Sequence, residues 1–202
     1  MIITVTSYKG GVGKTTTAIH LAAYLQTKAP TLLVDGDGIR SATKWRERGG
    51  EEGISFRICS HHQMIAYIRD YTHTVIDTEG NPSDEDFRDL AEACDLMVVP
   101  AVPESVANDG LTHTLAKLHE LRNDKFRVLL TMVPPKPRTE GKQLRDMLAS
   151  EGIPVFKGEI PRLAAYEAAA ARGMAARDLP KNVKNGERAW DAYEAVGKDI
   201  LR

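Results

Sequence analysis

The run Lys9-Gly10-Gly11-Val12-Gly13-Lys14-Thr15-Thr16 combines two lysines, three glycines and two threonines within eight residues. That mixture suits the gripping of phosphate. Glycines let a backbone curl until successive N–H groups converge on one anion. The run follows an apolar segment, Ile2–Thr6, and opens an amphipathic one. A P-loop requires this strand–loop–helix setting, because the helix N-terminus adds positive potential. Lys14 then reaches the β- and γ-phosphates, the Thr15 hydroxyl binds Mg²⁺, and Thr16 donates to the α-phosphate. The common pattern G-x-x-x-x-G-K-[ST] has its first glycine where this chain has Tyr8.

Phosphate chemistry also needs carboxylates, for Mg²⁺ and for an attacking water. Two apolar segments end in them. Leu32-Leu33-Val34-Asp35-Gly36-Asp37 ends in two acids, and Thr74-Val75-Ile76-Asp77 has the Walker B form, with Asp77 holding Mg²⁺ through water. Glu79, two residues on, reads as a solvent-facing loop charge, with a place near the γ-phosphate as the alternative.

Something must bring these groups together. Short runs rich in Val, Ile and Leu predict strands over Ile2–Thr6, Thr31–Val34, Ile54–Ile58, Thr74–Ile76, Leu96–Val99, Val128–Met132 and Pro154–Phe156. They lack strict polar alternation, which suits a parallel sheet covered on both faces. Between them, helices are predicted over Thr15–Gln26, His61–Tyr71, Asp84–Ala93, Glu104–Arg122 (with Val106, Leu111, Leu115, Leu118 and Leu121 at helical spacing), Thr139–Ser150 with a threonine cap, and Glu187–Leu201. On Thr15–Gln26, Ile19, Ala22, Ala23 and Leu25 fall largely on one side; Arg172–Gly186 reads as an irregular link. The alternation predicts a doubly wound, mostly parallel α/β fold of the P-loop class. No domain boundary is visible, so residues 1–202 are expected to form a single P-loop ATPase domain.

Composition excludes several classes. The 202 residues are 42% hydrophobic and 27% charged with net charge −1, so no global field draws the monomer to nucleic acid or to an anionic membrane. Cys59 and Cys94 match no metal or redox spacing and read as small buried hydrophobes, which fits a reducing cytoplasm. No apolar run suits a signal peptide or a membrane span, so the expectation is a soluble protein without a membrane partner.

On these motifs the chain resembles the ParA/MinD family of ATPases, whose deviant Walker A motif is KGGVGKTT; the resemblance runs to about Leu179. It implies ATP/ADP and Mg²⁺ as ligands and a homodimer formed with ATP. It implies that Lys9 crosses the dimer interface to the partner's ATP, joining Lys14 and Asp37 as catalytic groups. Gly10, Gly11, Val12, Gly13, Lys14, Thr15 and Thr16 then cradle the phosphates. Asp37 positions the hydrolytic water and shares the metal's surroundings with Thr15 and Asp77, while Asp35 is structural or lies behind the metal. Asp37 is followed by Gly38-Ile39, where the family usually has Pro-Gln. Thr131-Met132-Val133-Pro134 resembles the segment beside adenine, which nominates Met132 and Pro134; Ile160-Pro161-Arg162 resembles another segment near the base.

Within the family, a membrane-positioning MinD-like protein should end in an amphipathic helix with a basic polar face. Here Trp190, Tyr193, Val196 and Ile200 share a helix with Glu187, Arg188, Asp191, Glu194, Lys198 and Asp199, and packing against the sheet is the expectation. Biosynthetic P-loop enzymes are longer, and the two cysteines do not fit an iron–sulfur carrier. The resemblance therefore favours a partition ATPase that binds DNA nonspecifically, is nucleoid-associated, answers to an adaptor of ParB type that stimulates hydrolysis, and partitions or positions a plasmid, a chromosome locus or a large cargo. Arg162, Arg172, Arg177, Lys181, Lys184 and Arg188 are the candidate DNA contacts. An N-terminal DNA-reading extension, which some family members carry, is not expected.

Overall fold

A computed structural model describes residues 1–103 and 109–202. In chain order these form β1 (Ile2–Val5), α1 (Lys14–Gln26), β2 (Thr31–Gly36), α2 (Ser41–Gly49), β3 (Arg57–Ser60), α3 (Met64–Tyr67), β4 (His73–Thr78), α4 (Asp84–Ala93), β5 (Leu96–Ala101), α5 (Asp109–Glu120), β6 (Phe126–Leu130), α6 (Glu140–Ser150), α7 (Ala164–Arg172) and α8 (Gly186–Ile200). The six strands make one sheet in the order β3-β2-β4-β1-β5-β6, every pair parallel. The expected doubly wound sheet is therefore present, and all of its pairings are parallel.

The strands are apolar on both faces because both faces are covered. Ile3, Val5, Leu33, Val75, Val98 and Leu129 join the core that holds α1 and α8. Their alternates Met97, Val99, Val128 and Leu130 pack with α4, α5 and α6, and Leu32, Val34 and Ile76 pack toward Met64 and Tyr67. Cys59 and Cys94 are buried free thiols, as their spacing implied. No helix among the described residues is long and apolar enough to cross a membrane.

Several elements differ from the sequence expectation. Pro154–Phe156 is not a strand. It lies along the edge of β6 through the single bridge Val128↔Val155, and Pro154 has no N–H to extend a ladder. The third strand begins at Arg57, not Ile54, although Ile54 and Phe56 are buried in the loop before it. His61–Tyr71 is broken into 3₁₀ turns at His61–Gln63 and Ile68–Asp70 around the four-residue α3. Thr139 makes no side-chain cap bond to α6. Val106 and the predicted helix start at Glu104 lie outside the described residues.

Two helices, α2 and α7, carried no readable apolar stripe. Only Ala42 and Trp45 of α2 are buried, and α7 is largely alanine, which favours helix without marking a face. Helix α1 is buried on all sides from Thr17 to Leu25, not on one. The cause is α8, which packs chiefly on α1 and on the 3₁₀ turn Ala176–Asp178 instead of on the sheet. The approach is close because Gly197 has no side chain: a Cβ there would stand 2.1 Å from Cδ1 of Tyr24. Gly197→Ala should therefore cost roughly 1–3 kcal/mol of stability. An unchanged thermal midpoint would mean that α8 does not sit against the Tyr24 ring.

Candidate nucleotide site

The register of the sheet builds the site. Val5, the last residue of β1, pairs with Asp77 on β4, and Asp77 pairs in turn with Asp35 on β2. The loop 6–13, Asp77 and the Asp35–Asp37 turn thus leave the same edge of three neighbouring strands. Beyond Val5, Gly11 (φ +74°) and Gly13 (φ +87°) take left-handed conformations that suit glycine. Lys14 and Thr15 open α1, and Thr131 ties the loop to β6 by donating its hydroxyl to Val12 O at 2.9 Å.

The two lysines are treated differently. Lys14 is only 8% exposed, and its Nζ donates to Lys9 O at 2.9 Å. Burial pulls its pKa below the ordinary lysine value, while Asp77 and Asp37 favour the charged form. Lys9, Gly10 and Gly11 are exposed on the rim. Gly80, following β4, brings its Cα side against the loop: a Cβ there would lie 3.6 Å from Gly10 Cα and 3.7 Å from Lys14 Nζ. Glu79 beside it is exposed, as expected for a loop charge.

The three acids divide their roles by environment. Asp35 is engaged within its own turn, accepting from Thr43 N at 2.8 Å, Thr43 Oγ1 at 2.6 Å and Asp37 N at 3.3 Å. That makes it structural. Asp37 is half-buried and accepts from Ile39 N and Ser41 Oγ, both at 3.0 Å, so it also secures the turn into α2. Asp77 is fully buried, and neither of its oxygens makes a hydrogen bond of acceptable geometry among the described residues. Burial pushes its pKa up to about 7, with Asp35 and Asp37 adding to the rise; the nearby Thr15 hydroxyl and Lys14 act in the opposite direction.

Two orphaned carboxylate oxygens beside a threonine hydroxyl fit a hard cation that binds oxygen and keeps its waters, as Mg²⁺ does. No cluster of three or more His, Cys, Asp or Glu suited to a metal exists among the described residues. Such an ion would therefore take its remaining ligands from phosphate and water.

A cleft of about 340 Å³ opens beside Gly13 and Thr16, lined by Met132, Ile160–Leu163 and Tyr166 among others. Segments 131–133 and 160–162 are zipped together there, Val133 N donating to Ile160 O and Arg162 N to Val133 O, each at 2.9 Å. Met132 holds a left-handed φ of +51° over Gly13. Pro134 is not among the lining residues. Tyr166 was not legible as a site residue, because α7 showed no pattern. Its hydroxyl donates to Ala189 O at 3.0 Å, which fixes the ring against the cleft.

Sequence reading also missed His20, which ties the loop to the C-terminal region. Its Nδ1 donates to Thr16 O at 2.7 Å and its Nε2 accepts from Ala176 N at 3.1 Å. Burial lowers its pKa to about 4, so it is neutral at pH 7. Beyond Ala176 lies a broad groove that gathers Arg177, Lys181, Lys184 and Arg188 of the basic candidates, but Glu187, Asp191 and Glu194 line it too. Arg162 sits instead at the cleft beside Thr16.

Residues 3–176 match the family model described as the CobQ/CobB/MinD/ParA nucleotide binding domain. The chain is 32% identical over 205 residues to the maintenance of carboxysome distribution protein A of Gloeobacter kilaueensis, covering 100% of this chain and 94% of that one. It is 32% identical over 202 residues to the chromosome-partitioning ATPase Soj of Thermus thermophilus, covering 79% and 80%. Among solved structures, a putative plasmid partition protein of Borrelia burgdorferi bound to AMPPNP superposes with a TM-score of 0.73 at 19% identity, covering 99% of this chain and 98% of that one.

Proposed function

The chain belongs to the CobQ/CobB/MinD/ParA nucleotide-binding family, as an ATPase relative of the positioning and partition type, and from that premise we propose that it is an ATP-driven dimerisation switch. ATP closes two copies face to face, and the closed dimer binds DNA without reading its sequence. Hydrolysis, stimulated by an adaptor protein of ParB type, releases it. The observation that carries this reading is the opposite placement of the two lysines: Lys14 is buried against the carboxylates, whereas Lys9 is exposed on the rim. A cation on the rim is positioned to serve a second site as well as its own.

In this reading the turns at Gly11 and Gly13 aim main-chain N–H groups at the phosphates, and Thr16 holds the α-phosphate. Lys14 exchanges Lys9 O for phosphate oxygen. Thr15 and Asp77 would hold Mg²⁺, which would supply positive charge to offset that of the phosphates. Asp37 orients the water that attacks the γ-phosphorus, and Lys9 of the second copy stabilises charge on the transferring group. The base lies beside Met132, with Tyr166 as its stacking surface.

DNA binding would fall to Arg177, Lys181, Lys184 and Arg188. Interleaved acids keep one copy's field weak, so two copies are needed to hold the duplex. Burial of Tyr193 and Val196 against α1 also speaks against α8 as a membrane helix.

The deciding experiment is binding to a nonspecific duplex and to anionic vesicles, each without nucleotide, with ADP and with ATP. Binding to DNA only with ATP is expected. With about three phosphate contacts per copy it should weaken on the order of a thousandfold between about 50 and about 200 mM salt. Asp37→Ala should hold the DNA-bound dimer without turnover. Vesicle binding in place of DNA binding would overturn the DNA reading, and an ATP-bound monomer in sedimentation would overturn the switch.

A further inference from the structure

Tyr8 stands where the common phosphate loop has glycine, and the proposed ATP site leaves it without a role. Its ring is stacked on His113, with centroids 4.1 Å apart, and lies 5.1 Å from Phe87. Its hydroxyl donates to Asp84 Oδ1 at 3.2 Å, and Lys117 Nζ holds the other oxygen of that carboxylate at 2.8 Å. Burial and the neighbouring Asp84 push the Tyr8 pKa up to about 12, so the hydroxyl stays a donor at ordinary pH. The main chain is held as well: Tyr8 N donates to Thr114 Oγ1 at 3.2 Å, and that hydroxyl donates to Gly110 O at 2.7 Å.

The next residue is Lys9. Its N–H donates to Ser7 Oγ at 3.2 Å and its carbonyl accepts from Lys14. The first turn of α5 presses on it: a Cβ at Gly110 would stand 2.5 Å from Lys9 Cβ and 3.3 Å from its Cα. Only glycine allows that approach. Lys9 is thus mounted on a backbone gripped from both sides, while the residue itself is exposed.

We propose that Tyr8 is a positioning residue for Lys9: bracketed by α4 and α5, it fixes the main chain from which the Lys9 ammonium is presented to the second copy's nucleotide. The proposal rests on Lys9 acting in trans. A cation that stabilises a transferring phosphoryl group is only as effective as its placement, since an error of about 1 Å can cost about a hundredfold in rate. The loop gains from an aromatic anchor what a glycine at position 8 could not supply. A tyrosine that merely filled the core would affect stability equally whether Lys9 were present or not.

The test is a double-mutant cycle on the full chain with Tyr8→Ser, Lys9→Ala and their combination, alongside Tyr8→Phe. Three quantities are read: affinity of the dilute protein for a fluorescent ATP analogue, ATP-dependent dimerisation in sedimentation, and kcat at saturating MgATP. Tyr8→Ser should lower kcat and dimerisation at least about tenfold while nucleotide affinity stays within about threefold, and Tyr8→Phe should restore both. In the Lys9→Ala background the same change should cost no more than about twofold. Equal losses with and without Lys9, or no loss at all, would make Tyr8 a core residue and overturn the role. Should Lys9→Ala itself behave as wild type, the in-trans reading falls, and Tyr8's role with it; that outcome is separable because it is read without touching Tyr8. If Tyr8→Ser does not fold, Gly110→Ala disturbs the same mount from α5 and is read through the same cycle.

Discussion

Lys14→Ala should lower the affinity for MgATP by roughly a hundred- to ten-thousandfold, the loss of two charge-assisted hydrogen bonds at about 1.5–3 kcal/mol each. The side chain is already desolvated, at 8% exposure, and already turned into the loop, where it donates to Lys9 O. Little of its binding energy is therefore spent on reorganisation. Asp77 and Asp37 keep it charged against the pull of burial. No other described lysine lies inside the loop, and Lys9 on the rim cannot replace it. Calorimetric titration with MgATP checks the value, with a thermal melt to establish that the variant is folded. An affinity within about threefold of wild type would remove Lys14 from the phosphate site.

Asp77→Asn should have two opposite effects. In the protein without nucleotide it should raise stability at neutral pH, because an amide avoids burying a charge. A carboxylic acid whose pKa rises from 3.8 to about 7 on folding binds its proton more tightly in the native state. Such a group favours folding most at low pH, and stability falls as pH rises from about 4 to about 7, then levels off. At about 1.4 kcal/mol per unit the cost above pH 7 is on the order of 4 kcal/mol, and Asn should recover a good part of it. The same change should abolish the Mg²⁺ dependence of ATP binding, since the two unpartnered oxygens are the feature that fits the ion. Denaturant titrations of both proteins at pH 5 and pH 8 test the first effect, and ATP titrations with and without Mg²⁺ the second. A variant less stable than wild type at pH 8 would show that Asp77 is paired in the native state.

The pairing of these residues explains the economy of the site. One parallel register, Val5↔Asp77↔Asp35, places the phosphate loop and the carboxylates on adjacent strand ends. Asp35 is consumed in holding Thr43, and with it the start of α2. Asp77 is left unpartnered, and its burial raises its pKa. Two acids in one cluster thus acquire different roles from their surroundings alone.

Much of this was legible before the structure. The phosphate loop declared itself because its glycines, lysines and threonine act through neighbouring backbone, so spacing alone carries the chemistry. Asp37 and Asp77 were readable because each closes an apolar run, and the strand ends of a parallel sheet share one edge. Burial of Cys59 and Cys94 followed from their residue type. Other features left no local trace. Helices α2 and α7 lack an apolar stripe: one hides a single tryptophan and the other is built of alanine. The outer face of α1 could not be read as buried, because its cover, α8, lies far along the chain and docks through the absence of a side chain at Gly197. Local periodicity records that a position is apolar; it does not record what will cover it.

The sequence by itself therefore determined the glycine-rich loop between strand and helix, the apolar runs that end in acids and the parallel sheet they form, since each of these signals is written in residues a few positions apart. Only the tertiary structure decided which lysine is buried and which stands on the rim. It alone joined Lys9 to Gly110, His20 to Ala176 and Val12 to Thr131. Those contacts span about a hundred residues or more of chain and follow from how layers pack, which no short window of sequence encodes.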